Sequence, residues 1–114
     1  MPAVNIFLAH QRFDSATALN RFVFSTNGQP ARFLQEVGFT RFDPEHIQIV
    51  FNTKADSIYE LLQDTPDFHC WGYKVRHMAG LYDAAILVYE PNQMQTPEAS
   101  SLYYVGRLVY KFPD

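Results

Sequence analysis

One cysteine, Cys70, stands among 114 residues, so no disulfide can form within the chain, and a reducing, cytoplasmic setting is the simplest expectation. Cationic side chains are also scarce. Nine Lys and Arg against twelve Asp and Glu leave a formal net charge of −3, and no basic run offsets it, which argues against a generic binder of polyanions. No apolar run nears the roughly 18 residues of a membrane span. Residues 1–10 lack the basic start and long apolar core of a targeting segment, so the chain reads as soluble and unprocessed, with no membrane partner. A phosphate-cradling glycine loop, a nucleophile elbow, a paired set of metal ligands and paired carboxylates are all missing. No metal, no cofactor and no assignable catalytic residue are therefore expected.

Aromatic side chains are what the chain has in surplus. Ten Phe and seven Tyr bring aromatic content to 16% within a 47% hydrophobic total, so a core forms without a disulfide or structural metal. A single domain spanning 1–114 follows from the length. In a domain this small, some of those rings are expected to face a partner or ligand.

The spacing of apolar residues predicts the elements. Val4 to Ala9 reads as a first strand. Asp14 or Ser15 caps a helix carrying Ala16, Leu19, Phe22 and Val23 on one face, with Asn27-Gly28 as its stop. An extended reading of Arg21 to Ser25 competes with the end of that helix. Pro30 opens a second helix with Phe33, Leu34 and Val37 inward and Gly38 just past its end. His46 to Asn52 alternates as a half-buried strand. A capping box at Thr53 to Asp56 opens a third helix with Ile58, Leu61 and Leu62 inward, closed by Thr65-Pro66.

Phe68 to Glu90 is predicted as two adjacent strands. Trp71, Tyr73, Val75 and His77 would share one face at period two, and Ala84 to Tyr89, with no polar alternation, reads as a central strand covered on both faces. Pro91 to Ser100 is a polar, proline-bearing segment read as a mobile loop, and a last strand runs from about Leu102 to Phe112. The order β-α-α-β-α-β-β-β predicts an α+β fold. Its single mixed or antiparallel sheet has about five strands, the last three forming a meander, and two or three helices on one face.

Chemistry-bearing residues are few. His69, Cys70 and His77 suggest a thiolate or metal site, but adjacent strand residues point to opposite faces and no second cysteine completes a ligand set, so Cys70 reads as a buried small hydrophobe. Arg precedes Phe four times, at Arg12-Phe13, Arg21-Phe22, Arg32-Phe33 and Arg41-Phe42, where chance pairing gives fewer than one. A stacking surface for single-stranded nucleic acid would use such pairs. The acidic balance makes Phe inward and Arg outward the better reading. The expected site is ligand-binding, formed by Trp71, Tyr73 and His77 with His10 and Arg12 at the end of the first strand. The function read from this is a non-enzymatic binding domain for a protein partner or a small apolar ligand, using the aromatic sheet face and the 91–100 loop. A small enzyme with His10, His77 or Asp83 as acid or base is the alternative, and an Arg/Phe-dependent nucleic-acid binder comes third. The aromatic, little-charged last strand, set at a sheet edge, adds the expectation of a homodimer.

Overall fold

The structure is a computed structural model, and it describes residues 2–24 and 30–112. The expected helix stop at Asn27-Gly28 lies outside the described residues. The chain folds as α+β, and among the described residues every strand pairs antiparallel, in a four-stranded sheet and a separate two-stranded ribbon. Among the described residues no helix is long and apolar enough to cross a membrane.

Strand β1 (Ala3–Ala9) leads to helix α1 (Ala16–Val23), whose first turn is capped by the Ser15 hydroxyl accepting from the Ala18 N–H. Helix α2 (Arg32–Val37) ends at Gly38, left-handed with φ +65°, a conformation glycine adopts without a Cβ penalty. Strand β2 (Phe39–Arg41), a turn at Pro44–His46 and β3 (Ile47–Phe51) follow, then α3 (Ile58–Leu62), capped by Ser57. The chain closes through α4 (Phe68–Trp71), β4 (Ala84–Tyr89), β5 (Gln93–Met94) and β6 (Tyr103–Val109).

The sheet order is β3-β4-β1-β6, so β4 is central, and all six of its residues are buried as its unbroken apolar run predicts. The meander is not formed. The segment after β4 makes β5, which pairs with β2, and the chain then reaches the far edge, where β6 pairs with β1 instead of β4. The helices also divide between the two sheet faces rather than gathering on one. Val4, Ile6, Leu8, Ala85, Leu87 and Tyr89 pack under α3 and α4, while Phe7, Ala9, Ala84, Ile86 and Val88 pack under α1 and α2. Two central strands apolar on both faces require cover on both.

The predicted strand over 68–77 is a helical turn. Phe68, Trp71, Gly72 and Val75 are buried and His69, Tyr73 and Lys74 exposed, a period near 3.6 in place of two. Asp67, at φ +62°, starts the turn, and its carbonyl accepts from the Cys70 N–H at 2.8 Å. Gly72 lies so close beneath the Phe68 ring that a Cβ would come within 2.7 Å of it.

Candidate functional site

The 91–100 segment is pinned at several points. Gln95 and Thr96 donate backbone N–H groups to the carbonyls of Gly38 and Val37, both at 2.9 Å, and Pro97–Ala99 makes a turn of 3-10 helix. At its end, Glu36 Oε1 accepts from the Ser101 N–H at 2.8 Å, and Oε2 takes the Arg32 guanidinium at 3.1 Å. A segment read as mobile is thus a tethered crossing, because its polar side chains and backbone find partners on α2 and β2.

This crossing walls a cleft of about 620 Å³ between the β2–β5 ribbon and the sheet. Asn5, Tyr104 and Arg107 line it from the sheet, Arg41 from β2, and Glu90 and Gln93 from the segment opposite. Asn5 is the only polar residue of β1, and its register partner on β6 is Arg107. The Tyr104 hydroxyl donates to Asn5 Oδ1 at 2.6 Å. That leaves the Asn5 amide nitrogen as a donor with no partner among the described residues. The Tyr104 ring is fixed in turn by stacking on Phe7, centroids 4.9 Å apart, and burial raises its phenol pKa, keeping the hydroxyl protonated as a donor. Arg107 reaches Glu90 at 2.7 Å, an exposed pair that stabilises little. The Arg41 guanidinium has no ion-pair or hydrogen-bond partner among the described residues. Among the described residues the cleft therefore presents two guanidinium groups and an amide donor against a single carboxylate.

The residues predicted as ligand-binding do not converge here. Trp71 is fully buried in the core, Tyr73 is 61% exposed on the surface, and His77 lies exposed in the turn that follows, so the aromatic face they would share is not formed. Helical periodicity separates what period two would align. His10 and Arg12 do meet, at a shallow pocket of about 240 Å³ with Tyr82, Ser101 and Tyr103. There Arg12 is committed: its guanidinium donates to Ser101 Oγ at 3.1 Å and sits 5.3 Å from the Phe22 ring. Asp83 accepts from the Gln11 N–H at 3.1 Å, a loop contact that occupies one carboxylate oxygen.

The Arg-Phe pairs resolve as Phe inward and Arg outward at three positions. Phe13, Phe22 and Phe33 are buried and in ring contact, 5.1 and 5.9 Å between successive centroids, while Phe42 is partly exposed against Phe39. Cys70 is buried, and burial pushes its thiol pKa up, away from thiolate chemistry. Among the described residues no three His, Cys, Asp or Glu side chains are placed to hold a metal ion. The cleft residues were missed because their signals are single. Asn5 inside an apolar run was the one readable mark, and Arg107 and Tyr104 join it only through strand pairing. In comparisons with known proteins, the chain matches no family model, no curated protein and no solved structure.

Proposed function

We propose that the chain is a non-enzymatic binding domain that takes a small anionic ligand, carrying a carboxylate or phosphate group, in the cleft beside the 91–100 crossing. The observation that carries this is the Asn5 amide nitrogen, an uncommitted donor on an otherwise apolar central strand, beside its register partner Arg107 in a cleft that the Arg41 guanidinium also lines. A planar anion suits such a set, because guanidinium and amide donors are matched to its oxygens and charge-assisted hydrogen bonds are the stronger kind. Polar lining moves the ligand from the apolar class expected from sequence to an anionic one. Binding in place of catalysis is favoured because the cleft holds no nucleophile paired with a base.

Titration of 15N-labelled protein with inorganic phosphate and with succinate tests this. Saturable shifts at Asn5, Tyr104 and Arg107, weakened about tenfold by Arg41→Ala, are expected. No saturable shift with either anion, or shifts indifferent to Arg41→Ala, would remove the reading. A cytoplasmic setting and a homodimer formed through β6 belong to the same proposal, the first supported by the lone cysteine and the second by the position of β6 at the sheet edge.

A further inference from the structure

A second concavity, of about 260 Å³, opens on the other side of Glu90, which lines both. Among the described residues its fixed charge is of one sign: Glu45, Asp67 and Glu90 line it, Glu90 sharing its charge with Arg107 on the cleft side, and no Lys or Arg lines it. His46, which also lines it, is engaged by Asp43, Nδ1 to Oδ2 at 2.9 Å.

Carboxylates alone would make a surface that any cation visits. Here the walls are also aromatic, from Tyr89, Tyr110 and Phe112. Both phenol hydroxyls are committed, Tyr89 donating to the Pro66 carbonyl at 2.6 Å and Tyr110 to Asp67 Oδ2 at 2.8 Å, so the little of these buried tyrosines that borders the pocket is ring, and the exposed Phe112 supplies the open ring face. Burial raises both phenol pKa values, so the rings stay neutral and the carboxylates carry the charge. Phe112 meets Tyr110 at 5.8 Å and 82°, which sets two rings as a corner.

An aromatic corner beside carboxylates is selective. A hydrated metal ion needs several converging oxygen ligands, which these residues do not supply. An alkylated ammonium loses little hydration, lays its methyl groups on ring faces and keeps its charge near the carboxylates and the ring quadrupole. We infer that this pocket binds an organic ammonium ion, a quaternary or methylated amine. Its volume is below that of drug-sized sites, so the fit is to a head group with a short stem.

The test is a titration of 15N-labelled protein with tetramethylammonium chloride against sodium chloride at equal ionic strength. Saturable shifts at Asp67, Tyr110 and Phe112 are expected with tetramethylammonium alone, leaving Asn5 and Tyr104 in the anion cleft unmoved. Glu45→Gln and Phe112→Ala change exposed side chains, so the fold survives, and each is expected to weaken binding about threefold or more. Shifts that sodium chloride reproduces, that never saturate, or that survive both substitutions unchanged overturn the assignment. Phosphate binding at the cleft is a separate result, so either site can fail without the other.

Discussion

The side chain of Asn92 pairs with the backbone of Asp43 in both directions: Oδ1 accepts from the Asp43 N–H at 2.6 Å, and Nδ2 donates to the Asp43 carbonyl at 3.0 Å. A side-chain amide here does what a neighbouring strand would do. Nδ2 also faces the Tyr89 carbonyl at 3.0 Å, and the residue is only 4% exposed. The end of β4, the turn at 43–46 and the wall of the cleft are joined through this one side chain.

Asn92→Ala is expected to lower stability by about 1 to 3 kcal/mol, because it leaves the Asp43 N–H without its acceptor and takes a second donor from the Asp43 and Tyr89 carbonyls, which keep only the backbone N–H groups of His46 and Asn92. Asn92→Asp separates shape from donor capacity. It keeps the outline but sets an oxygen against the carbonyls that Nδ2 now serves, so it should be at least as damaging at neutral pH. Urea unfolding reads both, and an Asn92→Asp variant within about 0.5 kcal/mol of the parent would show that the donor is not needed.

Trp71 poses the opposite problem, since its indole Nε1 is buried with no hydrogen-bond partner among the described residues. An unmet donor in the core is destabilising, so removing it offsets lost volume. Trp71→Phe is expected to cost no more than about 1 kcal/mol, against about 3 to 5 for Trp71→Ala. Equal losses for the two variants in denaturant melts would mean that the indole N–H is satisfied.

Elements with an internal period were legible in the sequence. The unbroken apolar run of β4 predicted its central place, and Ser15 and the Ile58, Leu61, Leu62 stripe predicted α1 and α3. Phe68 to Val75 was misread because Trp71, Tyr73 and Val75 fit period two while Phe68, Trp71 and Val75 fit a helical turn. Which wins depends on what those rings pack against, and that is tertiary. Pairing of β6 with β1 was likewise illegible, since its partner is fixed by where the β2–β5 ribbon leaves the chain. The cleft inherits that limit: Asn5 and Arg107 are 102 positions apart and become neighbours only through this pairing.

Alkaline pH should destabilise the fold in a definite direction. Burial raises the pKa of Tyr89 and Tyr110, so the unfolded chain ionises these phenols while the folded one holds them neutral. The contribution is complete below about pH 10 and is lost as pH rises from there through the higher folded values. Thermal melts from neutral to about pH 11 should show a falling limb that Tyr89→Phe and Tyr110→Phe each make shallower. A limb of the same slope in both variants would assign it to other groups.

The dimer prediction starts from the backbone of β6. Tyr110 donates its N–H to the Pro2 carbonyl, so by strand alternation Arg107 and Val109 turn their backbone groups to the open edge. That half is guarded. Lys74 donates to the Val109 carbonyl, Arg107 carries a charge, and a register shift beside Gly106, at φ +135°, bends the strand. From Tyr103 to Val105 no charged side chain protects the edge, and Tyr103 is 52% exposed. Pairing with a second copy is therefore expected through this N-terminal half, giving by light scattering twice the 13.2 kDa chain mass at tens of micromolar. Tyr103→Lys should return the monomer without touching the core, whereas Val105 packs against the core and its replacement by Lys would confound folding with assembly. Lys74→Met removes the guard at Val109 and should tighten the dimer. A monomer mass for the parent and for Lys74→Met alike would sink the edge-pairing proposal.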